Sequence, residues 1–233
     1  MKSLSKTILL ALCALPGLAF SGEPYCDFQG QGGGSDCHTG YIFAYGGGFG
    51  GYNVDGHEPV FPSSEKIIMD SGTIFGGGAG IYTNLFKRGR IEVERLHAQN
   101  DIGQITSDIY DGRGYINYGF TGQMETDAFM LNVLKEIPFC KYTGYIGGGI
   151  GYAQNTITVY NPNIIGTNVG TNEVDDALAY QFIAGVDIPV TKSVDLFFQY
   201  KMLGVGESHY ERLDFVIDSH ITHNVVFGAR LSF

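Results

Sequence analysis

The sequence predicts an all-β fold: an eight-stranded antiparallel transmembrane up-and-down β-barrel, preceded by a cleaved signal peptide. Three observations carry that prediction. Several segments alternate apolar and polar residues over the ~9–11 positions that a tilted strand needs to cross a bilayer. The connections between them are short and long in turn, as in single-chain outer-membrane barrels. The amino terminus has the layout of an export signal.

At that terminus, Lys2 and Lys6 flank the start of an apolar run from Thr7 to Leu15, and Ala19-Phe20-Ser21 sets small residues before a cut at Gly22. The run is too short to span a bilayer as a helix, so residues 1–21 are read as a signal peptide. Residues 22–39, glycine-rich from Gly30 to Gly34, are read as a flexible periplasmic extension, and 40–233 as the barrel. Export implies an oxidising compartment, in which Cys26 and Cys37 are expected to close a disulfide and leave Cys140 over. Cys26, Cys37 and His38 also have metal-ligand chemistry, but neither a metal nor another cofactor is expected.

Composition fits the same class. Gly numbers 35, Phe 16 and Tyr 15, with no Trp, a mixture that favours strands and turns. The formal charge of −10 becomes −12 once Lys2 and Lys6 leave with the leader. That acidic balance argues against nucleic acid as a partner. Beyond the leader no apolar run is long enough for a transmembrane helix.

The eight expected strands lie near 41–52, 71–84, 90–99, 126–136, 142–155, 180–188, 194–204 and 221–233. In the last, Ile221, Val225, Phe227, Ala229, Leu231 and Phe233 share one face, opposite Thr222, Asn224, Gly228, Arg230 and Ser232. Leu196, Phe198, Tyr200 and Met202 repeat the pattern against Asp195, Gln199 and Lys201, and Tyr180, Phe182 and Ile188 against Gln181 and Asp187. A soluble sandwich would bury the apolar face, whereas a small membrane barrel turns it to lipid. The leader and the strand lengths favour the barrel. In the third strand Ile91 and Val93 alternate with Glu92 and Glu94, which aims Arg95 at lipid. A bulge, or a strand that starts lower, is expected to relieve that.

The expected short turns are 85–89, 137–141 and 189–193, carrying Lys87, Arg88, Pro138, Lys141, Pro189 and Lys192. The expected long loops are 53–70, 100–125, 156–176 and 205–220.

Three glycine runs are near copies: Gly46 to Tyr52, Gly76 to Tyr82 and Gly147 to Tyr152. They lack the Lys-Ser/Thr of a phosphate cradle. Their physical use is room inside a narrow barrel for long polar side chains of facing strands. With Phe182 to Pro189 and the strand after it, they resemble the opacity-type and outer-membrane-protein-A-type family of small surface barrels over roughly residues 40–233. Gly228, Leu231 and Phe233 are similar to the carboxyl-terminal signal read by the barrel-insertion machinery, with Val226 where a polar residue is usual and Leu231 replacing an aromatic. The resemblance implies a place in the outer membrane among its lipids and lipopolysaccharide, and roles in envelope integrity, adhesion or contact with host surface or matrix molecules. The sequence is expected to end with the last strand, with no peptidoglycan-binding domain after it.

Glu92, Glu94, Asn132, Gln181, Asp187, Asp195, Gln199, Lys201 and Arg230 are expected inside the barrel. Mixed charges in a narrow lumen must pair or be hydrated, and a salt-bridged plug is the leading reading. A narrow or gated, porin-like ion path is the alternative. A third class, an outer-membrane lipid hydrolase, would draw on Ser219, His220 and His223 with Asp214 or Asp218; no catalysis is expected. The acids at 172–176 lack calcium-loop spacing and are read as a solvated loop. The function expected is a surface-exposed barrel that displays four long extracellular loops.

Overall fold

A computed structural model describes residues 25–26, 37–57, 64–83, 88–107, 116–118, 121–139, 142–160, 171–210 and 215–233. Its strands are β1 (Tyr25–Cys26), β2 (Cys37–His38), β3 (Gly40–Phe49), β4 (Tyr52–His57), β5 (Ser64–Thr83), β6 (Gly89–Ser107) and β7 (Ile116–Tyr118). The chain continues with β8 (Thr121–Phe139), β9 (Tyr142–Tyr160), β10 (Thr171–Pro189), β11 (Val194–Val205), β12 (Ser208–Tyr210), β13 (Phe215–Ile217) and β14 (His220–Ser232). The expected leader, Cys140 and Asp214 lie outside the described residues.

Eight strands, β3, β5, β6, β8, β9, β10, β11 and β14, follow one another around a wall in which every neighbour is antiparallel. β5 pairs with both β3 and β6, so the wall closes and keeps no free edge. Followed by Cα partners, Leu178 on β10 leads through Tyr152, Phe129, Arg95, Gly77, Ala44, Ala229 and Leu196 back to Ile188 on β10. A stagger of that kind tilts strands by ~35–45° to the barrel axis.

The alternation read from sequence sorts the side chains as a membrane barrel requires. On β14 Ile221, Val225, Phe227 and Leu231, and just beyond it Phe233, face out, while Thr222, Asn224, Arg230 and Ser232 are buried in the lumen. Ile42, Phe75, Val93, Leu131, Ile150, Phe182 and Phe198 continue the outward apolar band round the wall. The soluble-sandwich alternative would have buried this face.

The inward glycines of β5 serve a different partner from the one expected. Gly80, Gly76 and Gly72 stand across from Tyr41, Tyr45 and Phe49, and a Cβ on Gly80 would lie 2.3 Å from the Tyr41 ring. Aromatic rings, more than polar chains, fill the space. Gly149 beside the Asn132 amide fits the original expectation.

The four long loops are the main correction. β5 begins at Ser64, β6 runs to Ser107, β8 begins at Thr121, β9 reaches Tyr160 and β10 begins at Thr171. β4, β7, β12 and β13 add short strands at the same end. The wall therefore continues past the apolar band into a crown. Here the outer face turns from apolar to polar. Val54, Ile67, Met69, Ile102, Met124, Ile157, Tyr210 and Ile217 form a buried apolar cluster, while Asp55, Lys66 and Asp101 are exposed. On β5 the change coincides with register shifts between Ile68 and Gly72. The extra residues of a bulge move Ile67 and Met69 onto the inner face. Loop-like composition hid these strands because their polar residues face water.

Within the amino-terminal extension, β1 and β2 pair antiparallel and set Cys26 opposite Cys37.

Candidate functional site

The lumen is the site the sequence pointed to. The alternation of β6, β8, β10, β11 and β14 sends Glu92, Glu94, Asn132, Gln181, Asp187, Gln199, Lys201 and Arg230 inward, and all eight are buried. Asp195 also faces inward, across from Arg230, and is half-buried at the short-turn end. Seven of the nine fall into two networks stacked along the axis, Glu92, Asp187 and Arg230 in the lower and Glu94, Asn132, Gln181 and Lys201 in the upper.

The lower network is built on two arginines. Arg90 lies 2.8 Å from Glu136 through Nε and 2.8 Å from Asp187 through Nη2. Arg230 Nη1 donates to the same Asp187 oxygen at 2.5 Å, and its Nη2 is 4.0 Å from Glu92. Tyr41 donates its hydroxyl proton to Glu92 at 2.6 Å. The guanidinium of Arg90 sits 4.5 Å from the centre of the Tyr145 ring, and that of Arg230 is 4.8 Å from Tyr41. Each cation thus has a carboxylate at its edge and an aromatic face against its plane. Arg90, Glu136 and the tyrosines were missed in the sequence reading. Arg90 is one alternation step before Glu92, and Glu136 two such steps beyond Asn132, so extending the register would have found both.

The upper network surrounds one carboxylate. Glu94, 1 % exposed, accepts from Lys201, from the Tyr45 hydroxyl, and from Asn132 and Gln181 at 2.8 Å each. Gln181 also donates to the Asn132 carbonyl at 2.6 Å, and Tyr145 donates to Gln199 at 3.0 Å. A buried charge is tolerable only when paired and hydrogen-bonded in this way. Above it, Thr126, Asn155 and Ser208 form a hydrogen-bonded row that ends at the crown's apolar cluster. The lumen is therefore filled from the lower end to the crown.

The hydrolase residues are not brought together. His220 is turned into the barrel and stacks on Tyr52, ring centres 5.7 Å apart, while His223 faces outward and bonds the Tyr200 hydroxyl at 2.6 Å. Two histidines on opposite faces of β14 cannot serve one hydroxyl, and Ser219 is exposed. Of the acids read as a loop, Asp175 accepts from the His209 backbone N–H at 2.6 Å and Asp176 from Gln154 at 3.2 Å. Among the described residues no group of three His, Cys, Asp or Glu side chains could hold a metal.

Gly228, Leu231 and Phe233 divide into two roles. Leu231 and Phe233 are exposed on the outer face. A Cβ on Gly228 would lie 2.3 Å from the Phe197 ring and 2.4 Å from the Ala44 carbonyl, so packing alone requires glycine there.

Arg95 departs from expectation. The β5–β6–β8 register is unbroken around it, so no bulge turns it inward. Its side chain is 65 % exposed on the outer face, where it meets Asp127 at 3.3 Å and the Phe129 ring at 5.6 Å. A lone Arg in the middle of a lipid face costs ~2–4 kcal/mol. Pairing with Asp127, and stretching toward the band's upper edge, reduces that.

A closed eight-stranded wall, apolar outside and ion-paired within, satisfies every backbone group in hydrocarbon and matches the polarity of its surroundings. The chain is an outer-membrane β-barrel. No protein-family model matches it, and no curated protein does. Solved structures similar to it are those of Neisserial surface protein A (13 % identity, 83 % of this chain and 97 % of that one, TM-score 0.48), of the attachment invasion locus protein Ail of Yersinia pestis (13 %, 84 % and 99 %, 0.42), and of the outer membrane protease OmpT of Escherichia coli (7 %, 83 % and 97 %, 0.49). The class assignment rests on the wall's own geometry.

Proposed function

We propose that this chain is a non-enzymatic surface protein in which the barrel is a solid post and the crown is the working end. The crown carries the loops that contact host surface or matrix molecules. One observation carries the reading: the lumen is filled by two charge networks and capped by an apolar core, while the strands run on past the apolar band. A filled lumen favours display over the narrow-channel alternative, because a permeating ion would have to break Glu94 from Lys201 or part Asp187 from both arginines. Extended, cross-bonded strands hold loop ends at a fixed height and spacing, which favours binding by lowering the ordering cost of the loops.

The test is adhesion of bacteria displaying the protein to immobilised matrix proteins and host cells. Replacing residues 108–115 by a short Gly-Ser linker should abolish adhesion and leave intact the change of gel mobility that a folded barrel shows on boiling. Adhesion that survives this replacement, together with stepwise conductance of the purified protein in a planar bilayer, would sink the proposal in favour of the channel.

A further inference from the structure

Arg95 belongs to neither luminal network, and its surroundings have the form of a site. Among the described residues it is the one Lys or Arg on the outer face between Lys135 near the short-turn end and Lys66 in the crown. Its guanidinium reaches upward: Nη2 donates to Asp127, which stands across from His97, one outward step nearer the crown than the Phe129 opposite Arg95 itself. His97 Nδ1 is 3.4 Å from the other Asp127 oxygen, and its ring centre is 4.8 Å from that of Phe75. The next outward residues, Gln99 on β6 and Glu125 on β8, are polar. The cationic head therefore lies where the apolar band gives way to the headgroup layer.

Beneath that head the outer face is low, because Gly77 has no side chain and Gly76 is turned to the lumen. A groove of about 490 Å³ is lined by Phe75, Gly76, Gly77, Arg95, Leu96, His97 and Asp127. Toward β3, Phe75 and Gly77 are flanked by Gly46 and Ala44, which add almost no relief. A cation at the headgroup boundary above a smooth apolar trough matches an amphiphile with an anionic head and a descending acyl chain.

We propose that this patch binds a phosphorylated outer-leaflet lipid, which in this membrane is the lipid A part of lipopolysaccharide. The proposal rests on the outer-membrane reading. Arg95 would grip the phosphate, His97 would add a second donor, and the acyl chain would lie over Gly76 and Gly77. The unused donors of the guanidinium favour phosphate. Asp127 engages one guanidinium nitrogen, and the planar fork keeps further N–H groups for a bidentate oxyanion. Asp127 itself repels a phosphate, so its role is to aim Arg95 upward at the expense of affinity. A second copy of the chain, with Arg95 of each meeting Asp127 of the other, is the competing occupant.

The two occupants respond differently to substitution. Full-length protein, folded in detergent, would be mixed with bis-phosphorylated lipid A or its dephosphorylated form and weighed by native mass spectrometry. Wild type should retain the phosphorylated lipid about tenfold more strongly, Arg95→Gln should lower that retention about fivefold, and Arg95→Lys should recover part of it, in keeping with the worth of charge-assisted contacts. Asp127→Asn should raise retention. Equal binding of both lipids, or an Arg95→Gln value within about twofold of wild type, overturns the proposal. So does a dimer that Arg95→Gln and Asp127→Asn both abolish, which would assign the face to a second copy. A mobility shift on boiling shows that each variant is folded. Its absence from wild type would sink the barrel reading, a failure distinct from loss of lipid.

Discussion

The wall and the crown share their long strands and differ in the polarity of their outer faces. β8 passes through both in a single register. Its inner face is buried throughout, with Met124 in the crown and Ala128, Met130, Asn132, Leu134 and Glu136 in the wall. Its outer face carries Gln123 and Glu125 above, then Leu131 and Val133 below. One alternation thus serves two outer surfaces of opposite polarity. In the crown, water outside makes burial of apolar side chains the driving force. In the wall, lipid outside removes that force, and the interior has only to be filled and its charges paired. What counts as a core residue is set by the solvent at that height.

The largest effect that would break the comparison is at the centre of the wall. Glu94→Ala would leave Lys201 buried without a carboxylate and cost about 3–5 kcal/mol. The urea midpoint in lipid vesicles, read from the mobility of the folded form, measures it. A loss below about 1 kcal/mol would mean that the network is hydrated rather than sealed. Next come the two outer faces. Leu131→Arg should cost about 2–4 kcal/mol on the lipid side of the wall, whereas Glu125→Arg in the crown should stay within about 0.5 kcal/mol. Equal effects in the same vesicle assay would erase the boundary drawn between them.

The smallest effect sharpens the crown. Tyr52 lies in β4, above the apolar band, and burial pushes its phenol up to about 12 from the ordinary 10. The fold therefore favours the protonated form. Its contribution is whole below pH ~10 and is lost as pH rises through about 12, at most about 3 kcal/mol. Protease cleavage of the crown should increase over that window in wild type and less in Tyr52→Phe, while the wall keeps its boiling-sensitive mobility. Identical profiles for the two proteins would show that Tyr52 is not part of the crown's core.

Much of the wall was legible in the sequence because its outer residues are strongly apolar and the alternation of β10, β11 and β14 is regular. Six of the nine luminal candidates followed from that alternation, and Glu92, Glu94 and Asn132 from the less regular β6 and β8. The crown was not legible. Its outward residues are Asp, Lys, Gln and Thr, which mark loops as readily as wet strands, and its inward Ile67 and Met69 are shifted by a bulge that no period reveals. The partners of the luminal charges were hidden for another reason. Tyr41 and Glu92 are 51 positions apart, and Lys201 and Glu94 107, and only the closed ring brings such positions together. Arg95 shows the reverse case: its outward direction was plain from the register of Ile91 and Val93, and the relief at Asp127 lay on another strand.

By itself, then, the sequence determined the class, the strand faces and the direction of nearly every side chain in the wall, because those follow from a local period of two and a lipid-facing apolar surface. Tertiary structure alone decided which charge meets which and where the two networks divide. It also decided where glycine makes room for a ring, and at what height the barrel turns from a lipid-facing wall into a water-facing crown. Those outcomes depend on the stagger with which the sheet closes on itself, a property of eight strands together and of none singly.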